Sequence, residues 1–247
     1  MSVRLVFVHS PLLGPESWAP LAREMPALGW STAVPKLQDA GHGPYWRQHV
    51  ESVVTGLHGD DELVLFAHSG AGALLAAIAD QLRGRVRALL FVDAGLPEEG
   101  RTRLEMLRAE TGDAFADGFE RHLKAGGRYP DWSDADLAGS IDDSVLRAAV
   151  LESQRRRPLD FWTERIPAPA NWASLPCAYL RLSDGYAIPA KRAREMGWPV
   201  LERAANHFAI LTEPAPTGWA RDHFPPLPHA RGPDLANGQR PGAWRGQ

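Results

Sequence analysis

The chain has 247 residues, of which 44% are apolar and 23% charged, and its formal net charge is −3. These values are typical of a folded globular protein and exclude a chain that is disordered or fibrous as a whole. No basic block is long enough to follow a phosphate backbone, so the composition argues against nucleic-acid binding. The single cysteine, Cys177, excludes an internal disulfide and any site that needs several cysteines.

The two ends of the chain differ in composition. Residues 3–8 form an apolar run directly after Met1 and Ser2, without the basic start and longer apolar stretch of a secretory signal. Because no apolar run approaches the ~20 residues of a membrane span, we expect a cytoplasmic protein that does not enter a membrane. Residues 225–247 are rich in Pro, Gly and Arg and are predicted to be a disordered tail.

Short apolar runs alternate with helical periods along the chain. Runs typical of buried strands occupy residues 3–8, 32–34, 63–67, 86–92, 177–182 and 199–201. Apolar residues at helical spacing predict helices between them, at residues 16–28, 46–57, 74–82 and 189–196. This order predicts the α/β class, with one mostly parallel sheet covered by helices on both faces.

A long segment interrupts the alternation. Between residues 97 and 172 the sequence has helical periods, at residues 104–109, 115–123 and 145–154, but no convincing strand. Such excursions usually have a function, and in a parallel sheet they leave from the edge where ligands bind. We therefore expect a helical cap at residues 98–172 inserted into a core made of residues 1–97 and 173–224.

A nucleophile elbow is predicted at Ser69. The strand at residues 63–67 leads into Ala67-His68-Ser69-Gly70-Ala71 and then into a helix. The sharp turn of such an elbow strains its central residue and leaves room only for small residues two positions away, here Ala67 and Ala71. The elbow presents the serine hydroxyl above the sheet, and the Gly70 N–H can stabilise an oxyanion.

A dinucleotide site is the alternative interpretation of the same turn. Gly70-Ala71-Gly72 is part of a G-x-G-x-x-G pattern after a strand, and Asp93 ends the next strand about 20 residues later. The third small residue is missing, however, because Leu75 occupies its position.

A general base is predicted at His207, since a serine hydroxyl is a poor nucleophile without one. His207 follows the strand at residues 199–201, so its loop reaches the same edge of the sheet as Ser69. Two acids that also follow strands can orient it: Asp184 is the expected acid and Asp93 is the alternative. His9 and His68 lie near this edge and are expected to order loops, and no metal or cofactor site is predicted.

These residues resemble the α/β-hydrolase superfamily, and within it the small plant-type methyl-ester esterases and hydroxynitrile lyases. The resemblance extends over residues 3–220. It is carried by the elbow, the His207 loop, Val92-Asp93-Ala94-Gly95-Leu96-Pro97, and His9-Ser10-Pro11-Leu12-Leu13-Gly14 with Trp18. It implies Ser69 as the nucleophile, His207 as the base, Asp184 as the acid and the Gly70 N–H as one oxyanion donor.

Three departures from the family pattern bear on the chemistry. Pro11 occupies the position whose backbone N–H is the family's second oxyanion donor, and proline has no N–H, so the N–H of Leu12 or the hydroxyl of Ser10 has to substitute. Asp184 lies one residue further from its helix proline than the family pattern. Phe208 stands where the lyases have a lysine, which argues against cyanohydrin cleavage.

The sequence therefore predicts a serine hydrolase without a cofactor, acting on a small to medium carboxylic ester, thioester or lactone. A non-hydrolytic enzyme of the same fold in small-molecule biosynthesis, such as a cyclase, a lyase or a release factor, is the first alternative. A nucleotide-binding or receptor-like α/β domain without turnover is the second. Trp132, Trp162 and Trp172 are candidates to line an apolar pocket for the small-molecule substrate. The sequence indicates neither the substrate itself nor an oligomeric state.

Overall fold

Parallel strands form the centre of the fold. The computed structural model describes residues 2–213, and within them it has eight strands: β1 Val3–Val8, β2 Ser31–Ala33, β3 Glu62–Ser69, β4 Val86–Ala94, β5 Arg101–Thr102, β6 Arg165–Ile166, β7 Cys177–Arg181 and β8 Val200–Glu202. Six of these make one sheet in the order β2-β1-β3-β4-β7-β8, and every pair in it is parallel. The six strands are those predicted from the sequence, and their ends agree with the prediction to within two residues.

Helices cover both faces of this sheet. The helices of the described residues are α1 Ala19–Glu24, α2 Tyr45–Thr55, α3 Leu75–Gln81, α4 Arg103–Thr111, α5 Asp113–Lys124, α6 Asp134–Leu137, α7 Ser144–Ser153, α8 Leu159–Thr163, α9 Ala187–Glu195 and α10 Ala209–Thr212. Alternate residues of the central strands face opposite sides. Val6 and Leu65 pack with α2, α3 and α9, whereas Leu5 and Phe66 pack with α1 and α10. Both sides of the sheet are therefore core, as a parallel sheet requires.

The segment between β4 and β7 carries α4 to α8, together with a feature that the sequence did not indicate. Arg101–Thr102 and Arg165–Ile166 pair as a two-stranded antiparallel sheet, which ties the two ends of the segment together. Two-residue strands are too short for a hydrophobic alternation, so no pattern could have revealed them. The predicted tail at residues 225–247 and the end of the predicted core lie outside the described residues. No helix in the described part of the chain is long and apolar enough to cross a membrane.

Candidate active site

The turn after β3 has the geometry of a nucleophile elbow. Ser69 ends the strand with φ +58°, in the left-handed region that side chains rarely adopt. Ala67 and Ala71, on either side of it, are fully buried. Gly72 is required by a close approach, because a Cβ there would lie 1.9 Å from the carbonyl oxygen of Gly95. The elbow geometry and the strain expected from the sequence are both present at Ser69.

His207 lies in the loop after β8, and its imidazole is held between two other rings. The ring of His68 stacks on one side at a centroid distance of 4.3 Å, and the ring of Tyr186 stacks on the other at 5.0 Å. Nδ1 of His207 lies 2.8 Å from Oδ2 of Asp93. Because a carboxylate can only accept a hydrogen bond, Nδ1 carries the proton, and Nε2 is left with the lone pair that a general base needs.

Asp93 reaches His207 through an irregularity in the sheet. Along the β3–β4 ladder His68 pairs with Val92 and Ser69 pairs with Ala94, so Asp93 is an extra, bulged residue. Its φ of +44° lies in the left-handed region. A bulge changes the direction of the extra residue's side chain, and the carboxylate of Asp93 faces the loops at the end of the sheet. Tyr179 holds the bulge in place, because its hydroxyl accepts a hydrogen bond from the Ala94 N–H at 3.1 Å and donates one to the Ala94 carbonyl at 2.8 Å.

The Asp93 carboxylate is fully buried and fully hydrogen-bonded. Oδ1 accepts from the N–H groups of Leu182 and Ser183, at 2.8 and 3.0 Å, and Oδ2 accepts from the hydroxyl of Ser183 at 2.6 Å as well as from His207. Burial alone would raise the pKa of Asp93, but the bonds from His207, Ser183 and Leu182 outweigh it and hold the pKa below its ordinary value. These hydrogen bonds therefore favour the charged form of Asp93 beside the imidazole.

The structure does not bring Asp184 to His207, although Asp184 was the expected acid. The side chain of Asp184 is fully exposed and pairs with Arg181 at 2.9 Å. The reason lies in the turn after β7. Its backbone amides, those of Leu182 and Ser183, bind the Asp93 carboxylate, and the side chain of the next residue, Asp184, is left in solvent. Of the two acids that the sequence left open, the alternative, Asp93, is the one bound to His207.

The Ser69 hydroxyl has a hydrogen-bond partner that the sequence analysis missed. Its Oγ lies 3.1 Å from the hydroxyl oxygen of Tyr186, and among residues 2–213 it forms no hydrogen bond with His207. Tyr186 ends a 3-10 turn, Asp184–Tyr186, that begins directly after Ser183. The sequence at this strand end indicates an acid, and the tyrosine two positions after Asp184 belongs to no comparable sequence pattern.

The loop after β1 forms the opposite wall of the site. Pro11 packs on the elbow, since a Cβ at Gly70 would lie 3.6 Å from its Cδ. The N–H of Leu12 points to Oγ of Ser10 at 3.3 Å. The buried guanidinium of Arg157 donates two hydrogen bonds to the Pro11 carbonyl, at 3.0 and 2.8 Å, and a third to Asp39 at 2.8 Å. Arg157 belongs to the segment between β4 and β7, so this segment holds the loop after β1 in place.

His9 and His68 order loops through their ring nitrogens, as expected from the sequence. Nδ1 of His9 bonds the Ser10 carbonyl and Nε2 accepts from the Leu37 N–H, both at 2.9 Å, and burial lowers the pKa of His9 to about 4. Nε2 of His68 donates to the His207 carbonyl at 3.0 Å, and burial, reinforced by the neighbouring His207, holds the pKa of His68 well below its ordinary value. Both rings are therefore neutral supports of the site.

A cavity of about 250 Å³ opens above Ser69 and His207. Its walls are mostly apolar and come from the β1 loop, the elbow and the segment between β4 and β7. Trp132 and Trp162 line it, as predicted from the sequence. Trp172 does not, because it packs against Phe91 and Trp198.

Two charged side chains of α4 also reach the cavity, and they lie at opposite ends of the helix face that lines it. Arg103 is buried and pairs with Glu164 at 2.7 Å. Glu110 follows two turns later, near Gly95, and burial raises the pKa of its carboxyl to about 7. Residues 103, 106, 107 and 110 share one face of a helix, a pattern that could have indicated this wall.

Neither a metal site nor a dinucleotide site is assembled from the described residues. Within residues 2–213 no group of three His, Cys, Asp or Glu side chains is placed to hold a metal ion. Asp93, which a dinucleotide fold would use for a ribose hydroxyl, has no exposed surface and is bound to His207. Cys177 is partly buried in β7, and burial raises the pKa of its thiol to about 12, which disfavours the nucleophilic thiolate.

Solved structures that resemble the chain have the α/β-hydrolase fold. An extracellular α/β-hydrolase from a Paenibacillus species, described as homologous in structure and function to tobacco salicylic acid binding protein 2, is 20% identical with a TM-score of 0.67, over 86% of this chain and 94% of that one. Polyneuridine aldehyde esterase is 16% identical with a TM-score of 0.64, over 88% and 96%. Tomato methylketone synthase I is 13% identical with a TM-score of 0.62, over 88% and 95%.

These likenesses confirm the expected α/β-hydrolase fold. No protein-family model matches the chain, and no curated protein sequence matches it.

Proposed function

We propose that this protein is a serine hydrolase that cleaves a small to medium carboxylic ester, thioester or lactone, with Ser69 as the nucleophile, His207 as the general base and Asp93 as the acid. One observation carries the proposal. The buried Asp93 carboxylate holds Nδ1 of His207 at 2.8 Å beside a strained serine that faces a cavity. A buried anion, an oriented imidazole and an elbow serine are the three parts that activate a hydroxyl for acyl transfer.

The acylation step follows from these positions. Oγ of Ser69 forms a bond to the carbonyl carbon while its proton passes to Nε2 of His207. The Asp93 carboxylate stabilises the imidazolium that results, and the N–H of Gly70, which bonds no other group among residues 2–213, can donate to the developing oxyanion. When the tetrahedral intermediate collapses, the bond to the leaving group breaks and His207 returns the proton to it. Water then attacks the acyl-enzyme with the same base.

The cavity supports a substrate of modest size. About 250 Å³ with aromatic walls suits an apolar acyl chain or ring, a little below the usual range for drug-sized ligands. Much of the wall comes from Arg103, Leu107, Trp132 and Trp162, so we assign residues 98–172 the role of a cap that selects the substrate. The esterase named among the similar structures is in keeping with ester cleavage.

Ester hydrolysis by a serine variant tests the proposal. We expect the wild-type protein to hydrolyse short p-nitrophenyl esters, and Ser69→Ala to lose that activity while keeping the same thermal unfolding midpoint. Ser174→Ala is the matched control, because Ser174 lies on a turn outside this cavity and its hydroxyl donates to the carbonyl of Asn171. Hydrolysis that survives in Ser69→Ala would contradict the proposal.

A non-hydrolytic enzyme of the same fold is the second candidate, and Pro11 favours it. The residue that should supply the second oxyanion amide has a ring carbon against Gly70 instead of an N–H, and loss of one donor typically costs about 10²–10³ in rate. Labelling of Ser69 by a fluorophosphonate, combined with no turnover of any ester in a panel of acyl chain lengths, would support this candidate over the first.

A further inference from the structure

An acyl-transfer site normally offers two hydrogen-bond donors to the oxyanion, and here the backbone supplies one. The N–H of Gly70 is unpaired among the described residues, but Pro11 has no N–H to accompany it. The next amide along the loop, that of Leu12, points to Oγ of Ser10 at 3.3 Å. A site that performs acyl transfer with this loop needs a donor from elsewhere.

The hydroxyl of Tyr186 is a side-chain donor beside the nucleophile. It is 3.1 Å from Oγ of Ser69. In the tetrahedral intermediate the oxyanion and Oγ are bonded to the same carbon, so a donor at this distance from Oγ reaches the oxyanion when the carbonyl oxygen is turned towards it. No other side chain within residues 2–213 makes a hydrogen bond to the Ser69 hydroxyl.

The position of Tyr186 is fixed by the same groups that fix the base. Its ring stacks on the imidazole of His207 with an interplanar angle of 8°. Its turn begins after Ser183, which is bonded to Asp93 through both its N–H and its hydroxyl. Donors that are held in place before the reaction lose no free energy to reorganisation during it, which is the basis of oxyanion stabilisation.

Burial, with smaller contributions from the nearby Glu110 and Asp93, raises the pKa of the Tyr186 hydroxyl further above its already alkaline ordinary value. The phenol therefore keeps its proton at neutral pH and can donate a hydrogen bond.

We propose that the Tyr186 hydroxyl is a catalytic residue: the second oxyanion donor, replacing the backbone N–H that Pro11 lacks. As Oγ of Ser69 bonds to the carbonyl carbon, the carbonyl π electrons move to oxygen, which accepts hydrogen bonds from the Gly70 N–H and the Tyr186 O–H. Tyr186 keeps its proton throughout, and the proton from Ser69 travels through His207 to the leaving group. The inference rests on the proposed hydrolase function.

The test is Tyr186→Phe, which removes the hydroxyl and retains the ring that stacks on His207. For p-nitrophenyl and phenyl esters of one acyl chain we expect kcat to fall about 10²–10³-fold, by the same factor for both leaving groups, with KM little changed. Tyr45→Phe is the matched control, because it also removes a hydroxyl with hydrogen-bond partners, to Gly41 and Asp160, but lies outside the cavity. It should keep wild-type kcat.

A second variant restores the missing amide. Pro11→Ala returns a backbone N–H to the loop, and in the Tyr186→Phe background it should recover part of the lost kcat, whereas in the wild-type background it should change kcat much less. Circular dichroism and thermal unfolding of each variant confirm that it folds.

Four results would overturn the inference. The first is a Tyr186→Phe kcat within about threefold of wild type, well under the loss of one donor. The second is a loss that grows with the pKa of the leaving group, which would make Tyr186 a proton donor to that group. The third is a comparable loss in Ser10→Ala but none in Tyr186→Phe. The last is a wild-type protein that hydrolyses no ester and takes no label at Ser69, which would remove the proposed function as well.

Discussion

Replacing Asp93 with asparagine changes one oxygen of a buried carboxylate into an amide nitrogen of the same size. The two oxygens receive four donors: two backbone amides at Oδ1, and the Ser183 hydroxyl and His207 Nδ1–H at Oδ2. The backbone amides cannot turn away, so the asparagine oxygen faces them and its NH₂ faces His207. Nδ1 must then accept a hydrogen bond, the proton moves to Nε2, and the imidazole can no longer take the proton of Ser69.

The expected loss is large because the variant selects the wrong tautomer. An asparagine at the acid position of a serine triad lowers kcat by about 10⁴-fold for this reason, and we expect a loss of that order in Asp93→Asn. Asp184→Asn is the matched control, since it makes the same chemical change at an exposed carboxylate whose partner is Arg181. It should hydrolyse p-nitrophenyl esters at the wild-type rate.

Steady-state hydrolysis of one p-nitrophenyl ester by the two variants and the wild type is the assay, with thermal unfolding to confirm that each is folded. Equal losses of activity in Asp184→Asn and Asp93→Asn, or activity near that of the wild type in Asp93→Asn, would refute the role of Asp93 as the acid.

Two further predictions concern groups around the cavity. Burial raises the pKa of Glu110 from 4.5 to about 7, so the folded protein holds this proton more tightly than the unfolded chain does. The resulting contribution to the free energy of unfolding is fully present below pH 4.5. It is lost as the pH rises to 7, by at most about 3 kcal/mol. Thermal unfolding from pH 5 to 8 should therefore show a steeper fall in the wild type than in Glu110→Gln, and parallel curves would contradict this. Arg157→Met should lower the free energy of unfolding in urea by about 1.5–3 kcal/mol, because it removes the cation from the partly buried Asp39 carboxylate and leaves it with His49 as a side-chain partner, and should also lower kcat by releasing the Pro11 carbonyl. Arg157→Lys keeps a positive charge and should retain more of the stability and more of kcat. An unchanged unfolding midpoint in Arg157→Met would count against the role of this ion pair.

The parts of the fold that could be predicted are those that depend on residues close together in the sequence. The strands of the large sheet are apolar runs because both of its faces are buried, and the elbow is a strand, small residues and a helix in succession. Within the helix predicted at residues 16–28, α1 ends at Glu24 and a 3-10 turn that contains Pro26 follows, since proline breaks an α-helix. Ser69 and His207 follow from the rule that loops after parallel strands meet at one edge.

The acid could not be chosen by that rule, because Asp93 and Asp184 both follow strands. The choice depends on a bulge that places one extra residue between the partners of His68 and Ser69, and on a turn that leaves Asp184 in solvent. Both are set by tertiary contacts, such as the Tyr179 hydroxyl on Ala94, that no periodicity encodes. Tyr186 was missed for a related reason, since its importance comes from a contact with Ser69, 117 residues away in the chain.

The most direct test of the central claim is to find which residue a fluorophosphonate labels. After reaction with the wild-type protein and digestion, mass spectrometry should show one adduct, on the peptide that contains Ser69. The labelling rate should be unchanged in Asp184→Asn and greatly reduced in Asp93→Asn. An adduct on another residue, or equal labelling rates in the two variants, would contradict the assignment of Ser69, His207 and Asp93 as the catalytic residues.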